Sequence, residues 1–197
     1  MIFLYFEKEL QAYLPINEQE EADKASILAM ITAFPKTILF RENTIAHMTS
    51  SAFIVNKTLD KVLFIHHNIY NAWGWTGGHA DGETDLLQVA CREAREETGL
   101  QAIEPLCPAM ASLDVLPVLP HRKNGRYVGA HLHFSPGYLL LADETAKLRT
   151  KADENSGVRW IPLAQIAAFC NEAHMLPVYA KLSARLRSLP PPIRRLL

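Results

Sequence analysis

Glu96 and Glu97 follow Glu93 by three and four residues, in a stretch without proline or glycine between residues 84 and 98. On a helix such positions are neighbours with Cβ atoms about 5–6 Å apart, so the carboxylates converge and repel unless a cation joins them. Clustered oxygen donors suit a hard divalent ion, and Mg²⁺ in particular is held by a few carboxylates together with water and substrate phosphate. The other reading is a solvated acidic face balanced by Arg92 and Arg95, the ordinary condition of an exposed helix. Thr84 or Asp85 can cap the start of this helix and Gly99 can end it. Leu87, Ala90, Cys91, Ala94 and Thr98 then form a mostly apolar stripe, with the three glutamates on its border. Upstream, Gly77 and Gly78 let the backbone approach an ion or a phosphate with no Cβ in the way.

These residues, in this order, resemble the signature of the Nudix hydrolases, G-x5-E-x7-R-E-U-x-E-E-x-G-U, where U is bulky and aliphatic. With Gly78 in the first place, Arg92, Glu93, Glu96, Glu97, Gly99 and Leu100 fall in register. Two positions depart. Thr84 fills the slot of the first glutamate, with Glu83 one place earlier, and Ala94 is small where the pattern is bulky. The resemblance implies an α+β fold, an α/β/α sandwich with a mixed sheet. It implies hydrolysis of a diphosphate linkage in a nucleoside diphosphate derivative or similar organic pyrophosphate. It also implies Mg²⁺, with Mn²⁺ as the substitute, held by Glu93, Glu96, Glu97 and the Gly78 carbonyl, while Arg92 orients Glu93 or Glu96. A one-residue shift turns a helical side chain by about 100°, so neither Glu83 nor Asp85 inherits the missing glutamate's place. In the family a general base often comes from a late loop, where Glu154 stands beside Asp153. Some Nudix-like domains bind a nucleotide or sugar nucleotide without cleaving it. Thr84 favours that alternative, and the retained glutamates favour hydrolysis.

Histidines supply weaker candidates. His79 follows the glycine pair and is placed against substrate phosphate, with a local hydrogen bond as the alternative. His131 and His133 alternate along a strand and face one side, His133 towards the pocket. A zinc role for them is disfavoured, because no nearby cysteine or aspartate completes a set. Tyr70, Trp73 and Trp75 are expected in the core or on a sheet face rather than stacked on a base.

The elements that must position these groups follow from period and punctuation. Residues 1–44 form a helical arm of two pieces, 3–14 and 17–34, closed by Pro15 and Pro35. Residues 45–197 form the domain proper. Within it, 51–56 and 61–67 are a hairpin, 110–119 and 129–142 are long strands joined through 120–127, and 158–161 is a short strand. Helices follow at 163–170 and 175–186, and 190–197 is a solvated tail. The arm is expected to pack over the domain or on a second subunit, which leaves a homodimer open.

A net charge of −1 provides no broad basic surface, so a nucleic-acid polymer and a charged membrane are not expected partners. The apolar run from Met1 to Phe6 is too short for a signal or spanning segment. Cys91, Cys107 and Cys170 are odd in number and widely spaced, which fits a reduced, cytoplasmic setting.

Overall fold

The computed structural model describes residues 5–189 apart from Asn124. The expected tail at 190–197 lies outside these residues. Two helices open the chain, α1 (Tyr5–Ala12) and α2 (Glu18–Ala33). Asn17 caps α2 by accepting the Glu20 N–H at 2.9 Å. The chain then forms β1 (Ala46–Val55), β2 (Lys61–His67), β3 (Ala72–Gly74) and β4 (Thr76–His79), followed by α3 (Leu86–Thr98). After α3 come β5 (Ile103–Pro105), β6 (Ser112–Val118), β7 (His121–Lys123), β8 (Arg126–Val128), β9 (His131–Ala142) and β10 (Asn155–Pro162). A 3₁₀ turn (Leu163–Gln165), α4 (Ile166–Phe169) and α5 (Leu176–Arg187) complete the fold.

The sheet is mixed. Its order is β10-β2-β1-β9-β5, with β3 on β2, β4 on β1 and β6 on β9, while β7 and β8 form a separate small hairpin. The central β1 is buried along its whole length and runs parallel to β9. Its side chains alternate between two cores. Ala46, Met48, Ala52 and Ile54 share one with Ala90 and Ala94 of α3, and with Phe6, Leu10, Ile27 and Ile31 of the arm. Phe53 and Val55 share the other with Val178, Tyr179 and Leu182 of α5. The result is an α/β/α sandwich, with the N-terminal helices packed on the α3 side. Pro136 has no N–H for the ladder, and the pairing of β1 with β9 lapses between Met48–Phe134 and Ser51–Gly137. The hydroxyls of Ser51 and Ser135 meet there at 2.9 Å.

Two local expectations change. The first strand begins at Ala46 rather than after residue 50, because its N-terminal half finds partners in β4 and β9 that are distant in sequence. The helix expected at 163–170 breaks into the 3₁₀ turn and the single turn of α4. Ile166 is the one buried side chain in those two pieces, too small an apolar face to draw out a longer helix.

Candidate active site

Asp85, not Thr84, caps α3 by accepting the Gln88 N–H at 3.1 Å. At the other end Gly99 takes φ 77°, the left-handed turn that a glycine makes without strain. Leu86, Val89, Ala90, Cys91 and Ala94 bury the apolar stripe, and this rotation sets Glu93 and Glu97 against β4. Glu93 is 8% exposed and Glu97 2%, while Glu96 faces solvent. Glu97 Oε2 accepts the Gly77 N–H at 3.0 Å. A Cβ at Gly78 would overlap the Glu93 carboxylate, and one at Gly77 would come within 2.9 Å of the Ser50 carbonyl oxygen. Both glycines are therefore required by close approach, and together they make a cradle for two carboxylates.

The charges around this cradle do not balance. Arg92 Nη1 donates to Glu93 Oε1 at 2.6 Å, and the guanidinium also lies 3.4 Å from Glu83 and 3.7 Å from Glu96. Lys151 bridges Glu96 at 3.1 Å and Glu154 at 3.0 Å, which draws the late loop onto the edge of α3. Among the described residues, Arg92 and Lys151 are the cations in ion pairs with Glu83, Glu93, Glu96 and Glu154. Burial pushes the Glu97 carboxyl well above its ordinary value, against the Gly77 N–H and with the help of the Glu93 and Glu154 charges. Burial likewise raises Glu93, opposed by Arg92 and reinforced by Glu96. Lys151 is held above its ordinary range because its bonds to Glu154 and Glu96 outweigh its desolvation. Oxygen donors gathered in excess of their cations, two of them buried in a backbone cradle, fit a hard divalent ion.

Residues 46–182 match the NUDIX domain family. The chain belongs to the Nudix family. It is a hydrolase of the class acting on phosphorus-containing anhydrides. Solved Nudix structures share its fold. A C. elegans Ap4A hydrolase binary complex is 18% identical, with a TM-score of 0.50 over 72% of this chain and 98% of that one. RenU, a Nudix hydrolase from M. smegmatis, is 16% identical, with a TM-score of 0.52 over 73% of this chain and 88% of that one. The NUDIX domain of Shewanella oneidensis NrtR complexed with ADP ribose is 19% identical, with a TM-score of 0.52 over 79% of this chain and 97% of that one. No curated protein matches the chain.

Within the Nudix signature, the displaced Glu83 reaches Arg92 but does not join the carboxylate cradle, and Asp85 is a helix cap. Lys151 was invisible to motif reasoning because the loop after β9 has no pattern that ties it to α3. The histidines bring the largest revision. His79 and His133 gather with His47 and His131 on the sheet, with ring centroids of His79 and His133 at 5.0 Å. The sequence places only His131 and His133 on one face; the structure adds His47 of β1 and His79 of β4 beside them. The missing signal was the register that sets His47 beside His133 across β1 and β9. Burial, with the other histidines, holds His133 down at about 2, and burial lowers His47 as well. Trp75 packs edge-on against Tyr179, and Trp73 against His66, as sheet-face residues. Tyr70 is 40% exposed and lies against His67, so it is no part of the core.

Proposed function

We propose that the chain is a pyrophosphohydrolase that cleaves the diphosphate linkage of a nucleoside diphosphate derivative or similar organic pyrophosphate, using Mg²⁺ or, in its place, Mn²⁺. One observation carries this reading: Glu93 and Glu97 are buried against Gly78 and Gly77 without enough cationic partners. Glu93, Glu96, Glu97 and the Gly78 carbonyl would hold the ion. Bound there, it would supply charge neutralisation at the phosphate oxygens and acidify a water molecule. The solved relatives named with Ap4A and ADP ribose support a nucleotide substrate that contains a pyrophosphate.

The protein's own groups do the positioning. Arg92 fixes Glu93 through its 2.6 Å bond and keeps Glu83 and Glu96 close. The Gly77 N–H fixes one oxygen of Glu97. We assign proton acceptance from the attacking water to Glu154, whose charge is felt at Glu97 and whose carboxylate is steadied by Lys151. His79 and His133 stay out of the substrate contacts in this reading, because their rings close on His47. Three free cysteines suit a reducing cytoplasm, and among the described residues no helix is long and apolar enough to cross a membrane.

The test is a screen of nucleoside diphosphate sugars, dinucleoside polyphosphates, coenzymes and nucleoside triphosphates for phosphate release with Mg²⁺ or Mn²⁺. Turnover of one class that is lost in Glu97→Gln supports the proposal. Release of phosphate from none of these classes with either ion would overturn the proposed substrate class.

A further inference from the structure

His47, His79 and His133 arrive from three strands. Parallel pairing sets His47 opposite His133, and antiparallel pairing sets His79 opposite Thr49, two residues beyond His47. Residues two apart on a strand share a face, so these rings, together with His131, stand on the face of the sheet turned away from α3. Gly78 lies between them and Glu93. The ligating nitrogens of His47, His79 and His133 all lie within 4.8 Å of one another. His47 is 5.0 Å from His79, 4.9 Å from His131 and 5.0 Å from His133 between ring centroids. A tetrahedral ion with bonds of about 2.0–2.1 Å sets its nitrogens about 3.3 Å apart and its ring centres about 5 Å apart. His131 Nε2 and His133 Nε2 stand 3.2 Å apart.

The hydrogen bonds select the right tautomer. His47 Nδ1 faces the Asn43 carbonyl at 2.9 Å, so it carries the proton and donates it. That leaves a lone pair on Nε2, an atom buried without a hydrogen-bond partner. His131 Nδ1 donates to the Gly129 carbonyl at 2.9 Å in the same way. A ligating histidine is held in this fashion, one nitrogen anchored to a carbonyl and the other turned to the metal. We propose that His47, His79 and His133 bind a divalent transition-metal ion of the zinc class, at a site separate from the carboxylates of α3, with water in the fourth position and His131 beside it. Three imidazole nitrogens suit Zn²⁺, Co²⁺ or Ni²⁺ and do not suit Mg²⁺. A bound anion would need charged rings, which the burial of His47 and His133 opposes. The ion would pin β4 to β1 and β9, and so hold the strand that carries Gly77 and Gly78.

Full-length protein stripped by a chelator and titrated with Co²⁺ tests this by visible absorption. The expected result is a tetrahedral Co²⁺ spectrum that one equivalent of Zn²⁺ displaces. His47→Gln and His133→Gln should each weaken Zn²⁺ binding by at least ~10²-fold, while Glu93→Gln and Glu97→Gln retain it. Should His47→Gln lose its circular dichroism signal, His79→Asn, on the partly exposed β4, carries the same comparison. An octahedral Co²⁺ spectrum overturns the proposal. So does Zn²⁺ binding that survives the histidine changes and disappears with the glutamates. The readout is metal binding rather than phosphate release, so failure of the hydrolase reading leaves this result distinct.

Discussion

Two groups of buried acids in this protein meet opposite fates. Glu20 of α2 and Asp114 of β6 close on Lys181 of α5, at 2.9 and 2.7 Å. Gln19 accepts a third bond from the same ammonium at 3.0 Å. Glu20 is pushed up by burial, but Lys181, Tyr13 and the Ile16 N–H outweigh this and hold it below its ordinary value; Asp114 stays raised because burial exceeds the pull of Lys181. Glu93 and Glu97 have no such lysine in their cradle, and both are raised. The first group has its cation built into the chain and serves to tie the arm to the last helix. The second has Arg92 on Glu93 alone and, among the described residues, no cation in an ion pair with Glu97, which marks it as a place for a cation from outside.

The largest effect should come from removing the internal cation. Lys181→Met leaves Glu20 and Asp114 buried without their partner, and breaking such a pair costs about 3–5 kcal/mol. Denaturant unfolding should show that loss, while kcat measured on folded protein stays near wild type. A loss under about 1 kcal/mol would mean the cluster is wetter than its burial suggests. The catalytic group should behave in the reverse sense. Glu97→Gln is expected to lower turnover by at least ~10²-fold, about 2.7 kcal/mol at the transition state, and to leave stability unharmed, since Gln still accepts the Gly77 N–H. Near wild-type turnover at saturating Mg²⁺ would refute the carboxylate site.

How far these groups could be read from the sequence follows from the range of the contacts. Glu93, Glu96, Glu97 and Gly99 belong to one helix, where spacing alone fixes mutual position, so α3 and its cap glycine were legible. Asn17 and α2 were legible for the same reason. Lys181 was not, because it meets residues from two distant elements, and no local pattern records that they touch. His47 was hidden likewise until the register of β1 on β9 was known. Glu154 lies between these cases: a late loop was expected near the cleft, but the lysine that brings it there was not foreseen.

Glu154→Gln tests that intermediate case and should have a smaller effect than Glu97→Gln. Glu154 is held by Lys151 at the edge of α3 rather than in the cradle, so a loss in kcat on the order of tenfold is expected, below the usual range for general-base removal. Substrate and metal affinity should change little. A loss below about threefold would leave Glu154 as a positioning partner for Lys151 and Glu96.

The smallest effect separates the two acid groups by the sign of their pH dependence. Glu20 has a lowered folded value, so its contribution is present above the ordinary 4.5 and is lost as pH falls through the folded value. Glu97 is raised, so in metal-free protein the folded state binds the extra proton. Stability then declines as pH rises from 4.5 through the folded value. In the presence of a chelator, Glu97→Gln should match wild type at acid pH, where both side chains are neutral, and become the more stable of the two as pH rises. Mg²⁺ should cancel that advantage, because the wild-type protein alone regains a partner for its charge. Thermal unfolding of both proteins from about pH 4 to 8, with and without Mg²⁺, measures the difference. An offset that ignores pH and Mg²⁺ would mean that Glu97 is solvated in the folded state, and would remove the contrast with Glu20.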